Sequence, residues 1–410
     1  MTAQTTEPYR TTVGRRALAD LPVLEVGLRP FFLLGAAWAV AALVLWLAIL
    51  AGHLSLSGPY DPLAWHGHEM VYGFAGAIAA GFLLTAVPTW TGRAGVVGTP
   101  LLGMAVLWLT GRTAMTAAAI FDASAAGSAL AGALDLSFFA ALLILTLRQV
   151  VAGRNWRNLP ITIAPGLLLA GSALVHLEAL DIAATAALGN RIGIAVFVLL
   201  VTLIGGRIIP AFTRNWLKNQ ADGGSLPVQP NKFDLAAVAV GLVALVAWLA
   251  APQGGTAAIA GTAAAVAHTF RLARWRGWRT LSEPLVWILH VAYAWVPVGF
   301  GFIALSAVWP AHVPESAGLH ALSAGVMTSM MLAMMTRAAL GHTGRPLHAD
   351  ARTVLVYLCS LGAAVTRIAA SLLPEMFLPL IAFSGTLWVA AFGLYLASYA
   401  PKLCGPRIAG

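Results

Sequence analysis

The chain has 410 residues, of which 60% are hydrophobic and only 10% charged, and its mean hydropathy is +0.83. A soluble globular domain carries about a quarter of its residues as charges, so this balance excludes one and specifies a polytopic membrane protein. The formal net charge of +9 would direct a soluble protein toward nucleic acid, but here the basic residues sort by loop, so the charge reports orientation in a lipid bilayer.

The first 28 residues carry Arg10, Arg15 and Arg16 but no apolar core, and the full-length apolar run that follows lacks a small-residue cleavage site. They read as a cytoplasmic segment before an uncleaved first helix. Apolar runs of about 20 residues, each broken by Pro, Gly or charge, recur about twelve times. They place helices near 30–51, 64–88, 97–120, 128–150, 161–180, 191–212, 234–251, 255–272, 285–308, 318–340, 353–373 and 376–399. The expected fold is therefore all-α, a single transmembrane domain over 1–410. Helices one to six occupy 29–212, a polar cytoplasmic loop 213–233, and helices seven to twelve 234–400. One face collects Arg93, Arg154, Arg214, Lys232, Arg276, Arg345 and Arg407, whereas the other keeps little beyond Arg191 and holds Asp61, Asp122, Asp181, Glu315 and Glu375. Positive charge stays inside, so both termini are expected in the cytoplasm. Cys359 and Cys404, the two cysteines, give neither a disulfide framework nor a thiolate metal site.

Along this frame the chemistry is carried by histidines and a few intramembrane charges. Asp61-Pro62 reads as a capped helix start leading into WHGHEM at the outer end of the second helix. His66 and His68 are two apart and so point about 200° from one another, so they share one ion only if the first turn is irregular; otherwise they serve different sites or one stands behind the other's ligands. Arg112 in the third helix and Asp135 in the fourth lie deep in the bilayer, where a charge costs several kcal/mol unless it is paired or wet. They can lock each other, or Arg112, like Arg367 in the outer half of the eleventh helix, can clamp the carboxylates of a cofactor. The fifth helix ends in LVHLEALD, which puts His176 and Glu178 at the outer face. Pro88–Thr91 and Pro210–Thr213 share a Pro-x-aromatic-Thr ending and hint at an internal repeat. Helices seven and eight carry little chemistry beyond His268. Ser282-Glu283-Pro284 opens the ninth helix, and His290 follows at a depth matching His342. His312 and His348 fall in loops.

The tenth helix organises these residues. His320 and His342 are 22 positions apart. On a helix that is roughly 33 Å, close to the roughly 30 Å of a hydrocarbon core. The two fall within about 40° of each other around the axis, with Met327, Met331 and Met335 near the same stripe. Such a straight helix cannot place both on one metal, so two groups are expected: His66, His68, His176 and His320 toward the outer surface, His290 and His342 toward the inner one. Imidazole without cysteine or carboxylate clusters favours Zn, Cu or Fe, including a haem gripped axially between helices.

RPFF at 29–32, WHGHEM through GFLLTAVPTWTGR, GRNWRNLP at 153–160, GGRIIPAFTRNWL, EPLVWILH at 283–290 and the tenth-helix run through LGHTGRP together resemble the NnrS family of bacterial membrane proteins, over most of the chain. The resemblance implies about twelve helices in the bacterial cytoplasmic (inner) membrane, haem of b type and copper as cofactors, nitric oxide as a ligand, and a part in the nitric oxide response and resistance to nitrosative stress. It makes His66, His68, His176, His290, His320 and His342 the candidate metal or haem ligands and leaves open which of them bind what; Arg112 and Arg367, outer-leaflet arginines near outer-leaflet histidines, would by their own chemistry suit the propionates of a haem. Redox activity on nitrogen oxides is implied by the cofactors alone. Twelve helices and six histidines are also similar to the catalytic subunit of haem–copper oxidases, but this chain has no His-His pair and no His-x-His on its tenth helix, so oxygen reduction and proton pumping do not transfer. The competing classes are a proton- or ion-coupled secondary transporter of a small anion or metabolite, and a membrane scaffold for assembly of a metalloenzyme.

Overall fold

The computed structural model describes residues 21–121, 123–220 and 224–408. Arg10, Arg15, Arg16 and Asp122 lie outside them, as does the 221–223 part of the polar loop. Twelve long helices follow in order: α1 (Leu28–Leu50), α2 (Pro62–Thr91), α3 (Gly98–Ile120), α4 (Ala125–Ala152), α5 (Leu159–Ala179), α6 (Ala186–Lys218), α7 (Lys232–Ala250), α8 (Gly255–Ala273), α9 (Pro284–Val308), α10 (Glu315–His342), α11 (Ala351–Leu372) and α12 (Phe377–Cys404). Local chemistry sets their starts. The Asp61 carboxylate accepts from the backbone N–H groups of Leu63 and Ala64 at 2.9 and 3.2 Å, with Pro62 at the first helical position. Asn231 and Asp234 form a capping box on α7, Glu283 caps α9 ahead of Pro284, and Asp350 caps α11.

The expected loop at 213–233 begins later, because α6 continues to Lys218. Its last stretch, GRIIPAFTRNWLK, is amphipathic and buries Ile209, Pro210, Thr213 and Leu217 against the bundle while its basic residues face outward.

Eleven of the helices are long and apolar enough to cross a membrane by length and composition. The twelfth, α8, is diluted by His268, Arg271 and several Gly and Thr residues, but it is as long as α7 and packs between α7 and α9. A contact between the chain's ends decides its status. The buried Arg29 guanidinium, at the start of α1, donates to the carbonyls of Gly405 (2.8 Å) and Leu403 (3.4 Å) at the end of α12. Both ends of the bundle therefore lie on one face, which requires an even number of crossings, and α8 supplies the twelfth.

The helices pack as three arcs around three central members. α2, α6 and α10 touch one another at the centre. α3, α4 and α5 wrap the gap between α2 and α6; α7, α8 and α9 wrap the gap between α6 and α10; α11, α12 and α1 wrap the gap between α10 and α2. The three central helices are also the most buried, and each contains a π-helical stretch: Glu69–Ala75, Val201–Gly205 and Ala321–Thr328. Wider π turns reposition side chains and loosen carbonyls for outside donors, which is why they gather at functional sites. Gly73 O accepts from the Trp108 indole (3.2 Å) and Thr202 O from Arg271 (2.8 Å).

Candidate functional site

The first arc encloses a polar cluster on α2, α3, α4 and α5. His68, Glu69, Arg112, Asp135 and His176 are all buried, none more than 4% exposed. Arg112 donates to Glu69 Oε1 at 2.6 Å and forms an ion pair with Asp135 Oδ1, so the two deep charges do lock together, with Glu69 as a third member. The imidazoles converge on the other Asp135 oxygen: His68 Nε2 lies 3.2 Å and His176 Nε2 3.0 Å from Oδ2, and the Ser172 hydroxyl donates to it at 2.7 Å. The opposite ring nitrogens are held as well, His68 Nδ1 by Glu69 Oε1 (3.1 Å) and His176 Nδ1 by the Tyr60 hydroxyl (2.9 Å). Trp38 Nε1 donates to Glu69 Oε2 at 2.7 Å. Burial and the nearby Glu69 carboxylate push the Tyr60 phenol up, so it stays protonated.

With neutral imidazoles, two carboxylates against one guanidinium leave this cluster a formal charge of −1 in a lipid-embedded core. One further positive charge completes it, and either a proton or a metal cation supplies that charge. His68, Asp135 and His176 offer ligand atoms that all lie within 4.8 Å of one another.

The third arc holds a cavity of about 520 Å³ near the outer ends of its helices. His66 and His320 line it, with Met70 and Met327, Trp46, Arg191 and Arg367. The ring of His66 stacks on Trp46 with centroids 4.4 Å apart, and neither of its nitrogens makes a hydrogen bond among the described residues. His320 Nδ1 bonds Ser316 O at 2.7 Å, which fixes the tautomer and leaves Nε2 with its lone pair. Arg191 pairs with Glu315 at 3.1 Å, whereas Arg367 bonds, among the described residues, only Ser371 Oγ (2.8 Å) and keeps donors for a ligand. The π stretch of α10 begins directly after His320, and that of α2 directly after His68.

The family model described as NnrS protein matches residues 22–407. The chain belongs to the NnrS family. No curated protein matches it.

In this member of the NnrS family the outer histidines divide as their spacing requires. His66 and His320 share the cavity; His68 and His176 share the buried cluster. Arg112 is committed to the cluster and does not line the cavity, while Arg367 does. The inner histidines are not brought together by any hydrogen bond or ring contact among the described residues. His290 Nε2 bonds the Thr213 hydroxyl at 2.7 Å, its ring lying near Trp275, and His342 is exposed at the end of α10. His268 on α8 belongs to a second buried network. Its Nδ1 meets the Tyr293 hydroxyl (2.8 Å), which also accepts from Arg271 (2.9 Å), and Arg271 pairs with Asp234 (3.1 Å). Tyr60 and Ser172 escaped the sequence reading, since an isolated Tyr in a loop and a Ser in an apolar helix carry no local signal. Glu69 was visible only as the residue after His68.

Proposed function

We propose that the protein is a haem- and copper-binding membrane protein of the nitric oxide response. The observation that carries this reading is the cavity in which two central helices bring His66 and His320 together beside Arg367. Its volume of about 520 Å³ falls within the roughly 300–1,000 Å³ of small-molecule and cofactor sites. Apolar walls with two imidazoles and a guanidinium that keeps unused donors suit a b-type haem: His66 and His320 would hold its iron, and Arg367 would hold a propionate. Haem there would supply an iron centre able to bind nitric oxide and exchange electrons. The protein's own part is to fix the His320 tautomer through Ser316, to hold the His66 ring against Trp46, and to keep water away from the apolar side of the pocket.

The buried cluster fits a single cation such as copper. For metal–nitrogen bonds of about 2.0–2.1 Å, a tetrahedron spaces its donors about 3.3 Å apart. The 3.0 and 3.2 Å separations from Asp135 Oδ2 to the two Nε2 atoms are close to that, and Glu69 and Tyr60 occupy the opposite nitrogens in the manner of groups that orient metal-bound histidines. A monovalent cation would also bring the cluster's formal charge to zero.

A visible spectrum and metal analysis of protein purified from membranes in detergent test both halves. A Soret band with reducible α and β bands is expected, lost in His66→Ala and in His320→Ala but kept in His176→Ala, which instead loses copper. A colourless, metal-free preparation would sink this reading, and a Soret band that survives both cavity substitutions would place the haem elsewhere.

A further inference from the structure

Ser and Thr hydroxyls in helices ordinarily bond a carbonyl three or four residues back, as Thr213, Thr336 and Thr343 do here. Five buried hydroxyls among the described residues have no partner at all: Thr116, Ser329, Ser360, Tyr395 and Ser398. Four of these five belong to α10, α11 and α12, the helices that wall the cavity on one side. A buried hydroxyl left unbonded loses the hydrogen bonds it makes in water, so a concentration of them in one place calls for water as the missing partner.

Three of these four, Tyr395, Ser360 and Ser329, fall in helix order between the cavity and a set of bonded hydroxyls that begins at the inner end of α11. The exposed Asp350 carboxylate accepts from the Thr353 hydroxyl at 2.7 Å, and Thr353 Oγ1 is 2.8 Å from the Tyr399 hydroxyl. Tyr399 stacks on Tyr395 with ring centroids 4.9 Å apart and planes 10° from parallel. Tyr357, an electrostatic neighbour of Tyr395, meets the Thr336 hydroxyl at 2.6 Å. Deeper still, Ser360 lies one turn below Ala363 on α11 and Ser329 is the residue after Thr328 on α10; Ala363 and Thr328 both line the cavity. Tyr357, Tyr395 and Tyr399 are no more than 1% exposed, so nothing else wets this route.

We propose that α10, α11 and α12 form a water-bearing hydroxyl track that carries protons from Asp350 at the inner face to the floor of the cavity. Each step is a proton hop in which a hydroxyl or water gives its proton forward as it takes one from behind, so no heavy-atom bond forms or breaks. Charged groups along the way are few. Lys402 lies over the Tyr399 ring (4.4 Å) and donates to Ser398 O; Arg352 flanks Asp350, and Glu283 and Arg337 stand near Tyr357. The Asp350 carboxylate offsets Lys402 at the mouth. The purpose of the track rests on the redox reading of the cavity, where an electron arriving in a low-dielectric pocket is balanced by a proton; the track itself rests only on the hydroxyls.

Two measurements test it. A cryo-EM reconstruction of the protein in nanodiscs, at a resolution that shows water, should find ordered water bonded to Tyr395 Oη, Ser360 Oγ and Ser329 Oγ; a dry interior overturns the track whether or not haem is bound. In the cofactor-loaded protein, chemical reduction in lightly buffered nanodiscs with a pH indicator should show proton uptake, slowed by about tenfold or more in Thr353→Val and Tyr395→Phe with the absorption spectrum unchanged. Thr353→Ser, which keeps the hydroxyl, should restore the rate. Uptake unaffected by Thr353→Val and Tyr395→Phe, or absent in the loaded wild type, overturns it.

Discussion

Replacing Arg112 by Leu would leave Glu69 and Asp135 facing each other in the core with only imidazoles between them. Breaking a buried ion pair from one side costs about 3–5 kcal/mol, so Arg112→Leu should sharply lower the thermal midpoint in detergent, and Arg112→Leu/Asp135→Leu should recover part of the loss. No recovery would mean that the bonds of Asp135 to His68, His176 and Ser172 outweigh the charge left unpaired by the loss of Arg112. Tyr60 is a gentler probe. Tyr60→Phe removes the partner of His176 Nδ1 and should cost about 1 kcal/mol while loosening the His176 ring, read as weaker copper retention at nearly unchanged yield. At the inner surface, bonds from the Thr353 hydroxyl and backbone N–H hold the Asp350 carboxyl below its usual range. A carboxylate depressed by folding contributes stability that is complete above its unfolded pKa and is lost as the pH falls through the folded one. The thermal midpoint of Asp350→Asn should therefore fall less between pH 7 and pH 3 than that of the wild type; equal slopes would show that the cap is energetically idle.

The π stretches give the central helices their working geometry. Deleting Ala324 would take out the extra residue that the wide turns hold and close Ala321–Thr328 toward a regular helix whose flanks keep nearly the same facing. Such a variant should keep the His320-dependent absorption and the Thr336–Tyr357 contact; loss of that absorption would mean that the wide turns themselves shape the cavity. Nothing in the sequence announced these turns, because their residues are as apolar and helix-compatible as their neighbours. The helices themselves were legible, since twelve apolar runs bounded by Pro, Gly and charge admit few alternatives, and caps such as Asp61 and Glu283 mark starts by short-range chemistry. Spacing was equally informative for His66 and His68, which separate as two residues on one helix must. What the sequence withheld was the neighbourhood of each helix. Membrane helices that are apolar all round carry no facing signal, so depth alone grouped His176 with His66 and His290 with His342. Only the arcs show that α2, α4 and α5 gather His68, Asp135 and His176, and that His290 turns toward Thr213.

At the scale of the molecule, the Arg29 contact closes the bundle into a ring in which α12 packs against α1. Its position and the loop charges together predict that reporters fused after residue 225 and after Gly410 both read as cytoplasmic; a periplasmic signal from either would invert the faces assigned to the cavity and the track. Closure through the chain's two ends also sets an order of assembly. The cluster at His68 has all its walls once α5 has entered the membrane, less than half-way through synthesis, whereas His66, made at the same moment, waits for α10, α11 and α12 before its pocket exists. A chain released after residue 350 should accordingly keep the metal-binding property of the first arc and fail to take up haem. On the proposed assignment of a cation to the cluster and haem to the cavity, a newborn chain would enclose the cation site early and complete its haem pocket only with nearly its last helix, which lets the two be loaded at different times.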